Sequence, residues 1–223
     1  MTHTELLASG IDEMGVGVSA EMQAKLLAYL ALLQKWNKVY NLTAVRGPFD
    51  MVTLHLLDSL SVLPHVNSKN LLDVGSGGGL PGIVLAICKP ELQVTTIDTV
   101  QKKAIFMRQV KGELGLNNLT VVHSRVESYQ PAEKFEAIIS RAFSEIALFV
   151  KLTQHLLVQH GQWLAMKGQL PHEELQGLAV KLNKPINVKK TISLKVAGLD
   201  AERHLLILEQ PVQRVTNENI SNY

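Results

Sequence analysis

The sequence predicts an α/β fold: a seven-stranded, mostly parallel sheet with a terminal antiparallel hairpin, preceded by an N-terminal helical extension. Three observations carry this. From residue 70 onward, short apolar runs alternate with helix-length segments, the pattern of a parallel sheet covered on both faces. The last two runs have no helix between them, so they form a hairpin. Residues 1–65 show helical rather than strand periodicity.

In order along the chain, residues 21–40 place Met22, Leu26, Leu30, Leu33 and Trp36 on one helical stripe. A second helix starts after Gly47-Pro48, where proline suits the first turn, and carries Phe49, Val52, Leu56, Leu57, Leu60 and Leu63 on one side until Pro64. Parallel strands are predicted at 71–74, 92–98, 119–123, 135–140 and 162–166. Residues 186–196 alternate, with Ile186, Val188, Ile192, Leu194 and Val196 on one face and Asn187, Lys189, Thr191, Ser193 and Lys195 on the other. The run at 203–208 completes the hairpin. We expect one domain over 1–223, with the extension at 1–65 and the sheet-bearing part at 66–223.

Composition narrows the function. The chain is 46% apolar, with 22 basic against 20 acidic residues, neither a disordered tract nor a strongly basic nucleic-acid binder. No apolar run approaches the ~18 residues of a membrane span, so no membrane partner is expected. The first residues, MTHTELLASGIDEMG, lack the features of a secretory signal. The single cysteine, Cys88, has no Cys or His at zinc spacing, which points to a reducing cytoplasm, no disulfide and no metal. A monomer is expected.

The sharpest motif is Asp73-Val-Gly75-Ser-Gly77-Gly78-Gly79-Leu80-Pro81-Gly82, between a strand and a helix. Its glycines permit positive φ and let a nucleotide-like ligand touch the backbone. Gly77, Gly79 and Gly82 also satisfy G-x-G-x-x-G, so a dinucleotide is not excluded by glycines alone, whereas the missing Gly-Lys-Ser/Thr excludes a P-loop. The carboxylate of Asp73 would repel a pyrophosphate and tolerate an ammonium and a sulfonium. Asp98, 23 residues after Gly75, is placed to accept adenosine ribose hydroxyls, or else to cap a helix starting near Val100. Arg125-Val126-Glu127 falls where an adenine would then lie, the alternative being a solvated turn.

These residues, with Trp36-Asn37-x-x-x-Asn41-Leu42-Thr43-Ala44, His55-x-x-Asp58-Ser59-Leu60, Ser140-Arg141-Ala142-Phe143 and Ala165-Met166-Lys167-Gly168, resemble the glucose-inhibited division protein B family. That family comprises bacterial 16S ribosomal RNA guanine-N7 methyltransferases on the Rossmann-like class I fold. The resemblance spans residues 20–210 and implies S-adenosylmethionine as cofactor, with contacts at Gly75, Leu80, Val126, Glu127 and Arg141, joined by Asp73, Gly77, Gly79 and Asp98. It also implies a substrate in small-subunit ribosomal RNA or a ribosomal particle. Val126 replaces the family's usual Ala, and Ile97-Asp98-Thr99 its Leu-Asp-Ser.

Arg141 is the first catalytic candidate, since its planar fork can orient a guanine; the alternative is an ion pair with Glu145 or Asp73. Lys167, at the end of the fifth strand, is either a second catalytic or RNA-binding cation or a solvated charge, and Arg125 is a further candidate RNA contact. Asn41, His55 and Asp58 are placed to close over the cleft, His55 more weakly than the others. Trp36 and Tyr40 either stack on a base or belong to the core. Lys181, Lys184, Lys189, Lys190 and Lys195 run without an intervening acid and read as a phosphate patch or as protection of an edge strand. A nicotinamide-dependent reductase, disfavoured by Asp73 and the hairpin, and an assembly factor without activity are the competing functions.

Overall fold

The structure is a computed structural model and describes residues 1–211; residues 212–223, the end of the expected sheet-bearing part, lie outside the described residues. Two long helices open the chain. In α1 (His3–Met14), Thr2 and Glu5 form a reciprocal capping box, which stabilises a helix that apolar periodicity alone does not reveal. The Ser19 side chain caps α2 (Ala20–Tyr40), which ends on left-handed Asn41.

The segment predicted as one helix to Pro64 is continuous only through Leu60. It runs as α3 (Pro48–Met51), a π-helical stretch at Val52–Leu57 and α4 (Asp58–Leu60). The wide turn shifts the phase of the helix, and buries His55 and Asp58 together with Leu56 and Leu57.

The sheet follows as β1 (Asn70–Val74), α5 (Gly82–Cys88), β2 (Gln93–Asp98), α6 (Gln101–Leu114), β3 (Leu119–His123), β4 (Phe135–Ser140), α7 (Ile146–Thr153) and β5 (Leu157–Lys167). The short helices α8 (His172–Gln176) and α9 (Leu178–Leu182) lead to the hairpin β6 (Asn187–Ser193) and β7 (His204–Glu209). Strand order is β3-β2-β1-β4-β5-β7-β6, with β1 to β5 parallel and β7 antiparallel to both neighbours. The seven strands and the hairpin agree with the sequence expectation.

Two strand details differ. β5 begins at Leu157 rather than 162, and bends through His160, which has φ of 66°. A register shift between Val188 and Lys190 interrupts the alternation of β6. A bulge of this kind exchanges the faces of the strand. Ile186 therefore packs with the α7 side of the sheet, Ile192 with the other side, and Val188 is left exposed.

Leu7, Leu26, Tyr29, Leu30 and Leu33 of the extension share one apolar cluster with Leu85, Phe106 and Met107 of α5 and α6. On the opposite face, Phe149 and Val150 of α7 pack with Leu72, Ile138 and Trp163. The sheet changes winding direction between β1 and β4. Loops leaving those strands diverge, and open a crevice at their carboxyl ends.

Candidate active site

The glycine loop leaves β1 directly into this crevice. Gly75, Gly77 and Gly79 have φ of 70°, 60° and 93°, values that β-carbons disfavour. Their roles differ. A β-carbon on Gly79 would lie 2.2 Å from the Ile83 side chain, and one on Gly75 would lie 2.9 Å from Ala142. A β-carbon on Gly77 would meet nothing closer than the Gly75 carbonyl at 4.0 Å. Packing thus explains Gly79, whereas Gly77 faces open space, as a backbone that admits a ligand would.

Asp73 lies under this loop rather than at its open entrance, fully buried, because the pleat of β1 turns it toward α5. Its Oδ2 accepts the Gly82 N–H at 2.9 Å, while its Oδ1 is buried with no hydrogen-bond partner. Burial pushes the carboxyl up to about 7, against the pull of the Gly82 hydrogen bond and the Arg141 charge. Leu80 sits in the apolar cluster, so it offers the loop's backbone rather than its side chain.

Asp98 ends β2 and accepts N–H donors from Gly77 and Val100, each at 2.9 Å. It therefore links the glycine loop to the approach of α6. Val100, the residue before that helix, has no polar side chain to cap it. Lys103, which the sequence reading missed, lies 3.6 Å from the same carboxylate. Gly75, Asp98, Val126 and Glu127 line one cavity of about 290 Å³, with Phe143 on its far wall. Four predicted cofactor residues from three loops thus meet. Arg125 is exposed beside them.

Arg141 follows β4 but lines a neighbouring cavity of about 410 Å³, with His55, Asp58, Lys167 and Arg203. Its Nη1 donates to the Leu54 carbonyl at 2.9 Å and to Asp58 Oδ2 at 2.8 Å. The expected alternative partners, Glu145 and Asp73, are not the ones it takes. Asp58, 2% exposed, also accepts Arg203 Nε on Oδ1 at 2.9 Å. One buried carboxylate therefore fixes two guanidinium groups. Arg203 carried no recognisable motif in the sequence.

His55 bonds Thr43 Oγ1 through Nε2 at 2.9 Å, and its Nδ1 is buried without a partner. Burial, reinforced by the Arg141 charge, lowers it to about 4, so it is neutral at physiological pH. Asn41 does not reach the cleft, because its Oδ1 accepts Arg46 Nη2 at 2.7 Å.

Lys167 is no solvated charge. Its ammonium donates to the carbonyls of Phe143 and Ser144 at 3.0 and 2.6 Å, and pins the wall between the two cavities. Tyr29, another residue the sequence reading missed, donates from α2 to the Gly78 carbonyl at 2.6 Å. Its signal was only one more apolar position on a helix. Trp36 goes to the core against Phe106, with ring centroids 5.5 Å apart, while Tyr40 is 43% exposed.

Four of the five lysines of the run are tied, Lys181 to Glu145 at 2.6 Å, Lys189 to Glu209 at 2.8 Å, Lys195 to Glu13 at 3.1 Å and Lys184 to Gln154, while Lys190 is exposed. A larger cavity, about 540 Å³, opens near His65 and Lys190. It lies at the amino end of β4, away from the crevice where open α/β sheets bind ligands. Among the described residues no helix is long and apolar enough to cross a membrane.

The fold is that of solved methyltransferases. The glycopeptide N-methyltransferase MtfA, complexed with S-adenosyl-L-methionine, superposes with a TM-score of 0.59 at 10% identity, over 70% of this chain and 87% of that one. A SAM-dependent methyltransferase from Aquifex aeolicus gives 0.53 at 19% identity, over 70% and 91%. Closer in sequence is the ribosomal RNA small subunit methyltransferase G of Methylobacillus flagellatus, 66% identical over 202 residues, 91% of this chain and 96% of that protein. That of Pseudomonas paraeruginosa is 53% identical over 209 residues, 93% and 96%. The family model of rRNA small subunit methyltransferase G, GidB, matches residues 22–206, and the chain belongs to this family.

Proposed function

We propose that the protein transfers the methyl group of S-adenosylmethionine to N7 of a guanine in small-subunit ribosomal RNA, acting as a cytoplasmic monomer. The observation that carries this reading is the juxtaposition of two cavities. One is lined by the glycine loop, Asp98 and Glu127; the other presents Arg141 and Arg203 fixed by Asp58. Lys167 holds the wall between them.

The residues fit the cofactor. Gly77 leaves its backbone open, and the orphaned, buried Asp73 Oδ1 is an acceptor suited to an ammonium group. Asp98 and Glu127 would hold the ribose and adenine, and Gly75 and Gly77 the methionine chain on the other side of the ribose. When bound, S-adenosylmethionine supplies an electrophilic methyl on a sulfonium. Guanine N7 has a free lone pair at neutral pH, so no residue need remove a proton. The protein's contribution is alignment, worth up to ~7 to 11 kcal/mol in favourable cases. Arg141 uses one nitrogen on Leu54 and Asp58, and the rest of its fork is available for guanine O6 or a phosphate. Neutral His55 adds no charge near the sulfonium.

The test is transfer of labelled methyl to small-subunit particles lacking the modification, followed by borohydride and aniline cleavage, which breaks RNA at N7-methylguanine. Label without cleavage would refute the N7 assignment. Arg141→Ala and Arg141→Lys are both expected to lose most activity, and Lys189→Ala, a surface pair, little. Calorimetry is expected to show S-adenosylmethionine binding in preference to NAD.

A further inference from the structure

The carboxyl end of α2 carries features that the two cavities leave unused. Residues 22–49 contain Lys25, Lys35, Lys38 and Arg46 and no acid. Lys25 is tied to Glu21 at 3.0 Å, whereas Lys35, Lys38 and Arg46 are exposed.

A notch of about 210 Å³ between α2 and the start of α3 is lined by Gln34, Asn37, Lys38 and Arg46. The Gln34 Nε2 is buried there with no hydrogen-bond partner. An amide donor, an ammonium and a guanidinium around one small notch are the donor set for a phosphodiester oxygen. The notch is held in shape from within: Asn37 Oδ1 accepts the Thr43 N–H at 2.9 Å, and Arg46 donates to Asn41 Oδ1.

On the same last turns of α2, outside the lining of the notch, the Tyr40 ring lies 4.9 Å, centroid to centroid, from Trp36, and Trp36 rests on Phe106. An exposed ring backed by half-buried Trp36 and buried Phe106 is a rigid platform for a nucleobase. The notch adjoins the arginine cleft in sequence: Val45 lines the cleft and the next residue, Arg46, lines the notch.

We propose that this surface binds the single-stranded RNA flanking the target nucleotide, with a phosphate between Lys38 and Arg46 and a base on Tyr40. The proposal rests on the RNA-methylating reading above and names where the strand outside the cleft is held.

The experiment measures binding of a fluorescein-labelled single-stranded RNA oligonucleotide by anisotropy over a salt series, alongside methyl transfer to small-subunit particles. Lys38→Glu and Arg46→Lys keep the fold testable, since Lys38 is exposed and Arg46→Lys retains a donor for Asn41. Lys38→Ala with Tyr40→Ala is expected to weaken oligonucleotide binding by about tenfold or more and to raise KM for the particle, with kcat and S-adenosylmethionine affinity near wild type. Loss of one phosphate contact should reduce the salt slope by about 0.7. Tyr40→Phe should bind normally, because it keeps the ring. Unchanged oligonucleotide affinity, salt slope and KM in Lys38→Glu and Tyr40→Ala would overturn the proposal. So would photocrosslinking from position 40 that reaches a ribosomal protein and no RNA. A wild-type chain that binds the oligonucleotide but transfers no methyl to particles would overturn the catalytic reading and leave this surface standing.

Discussion

Burial moves Asp73 and His55 in opposite senses. His55 has a folded-state pKa of about 4 against 6.5, so between those values the unfolded chain binds the extra proton and stability rises with pH. Asp73 is raised from 3.8 to about 7, so over nearly the same window the folded chain binds the extra proton and stability falls as pH rises. The two contributions, each about 3 to 4 kcal/mol at full extent, offset one another. Measured by denaturant titration, the unfolding free energy of Asp73→Asn is therefore expected to rise more steeply with pH than that of the wild type between pH 4.5 and 6.5, carried by His55 and by His65, whose imidazole burial also lowers. Asp73 must also lose its proton to hold a cation. Cofactor affinity is expected to tighten from pH 6 to 7, below the range in which the cofactor's own α-amino group loses its proton, and isothermal titration of Asp73→Asn should show that dependence gone. At the loop, Gly77→Ala should cost about 1 to 2 kcal/mol from its left-handed φ and abolish cofactor binding in a folded protein. Gly79→Ala should destabilise more, through Ile83.

At the scale of elements, the π-helical stretch and β7 deliver Asp58 and Arg203 to one point. Asp58→Asn leaves two partly buried guanidinium groups without their counter-charge, and a loss of about 2 kcal/mol with at least tenfold slower methyl transfer is expected. The check is thermal unfolding paired with single-turnover rates. Most strands were legible in the sequence, since buried parallel strands are apolar throughout and the glycine loop carries its own spacing. Asp98, Val126 and Glu127 could be placed because strand ends project to one edge. The unread parts share a cause. The π turn and the bulge in β6 shift a periodicity by one residue, and local pattern does not announce such a shift. Arg203 and Tyr29 act through partners far away in sequence, Asp58 and Gly78. Lys181, Lys189 and Lys195 looked unpaired because their acids come from other elements.

For the whole molecule, the extension is built into the same apolar cluster as the helices that cover the sheet. We therefore expect residues 1–211 to unfold as one cooperative unit. The chain has two tryptophans, Trp36 in α2 and Trp163 in β5, so each Trp→Phe variant leaves one reporter. Fluorescence and circular dichroism midpoints should coincide in both variants, and a separate early transition seen by Trp36 would make the extension an independent unit. A chain lacking residues 1–40 is expected to lose the native fold rather than activity alone, because Tyr29 and Leu33 leave the glycine loop and α5 uncovered.

The Asp58 bridge also imposes an order on assembly. Its two partners lie 83 and 145 positions downstream, so during vectorial synthesis the carboxylate emerges long before either guanidinium. Until β7 has been made and threaded between β5 and β6, the carboxylate is an acid without its clamp, in a helix whose neighbours are still being translated. The arginine cleft is therefore among the last features a nascent chain can complete, and a ribosome stalled just short of Arg203 would display the glycine loop on a protein whose second cavity still lacks one of its two guanidinium groups.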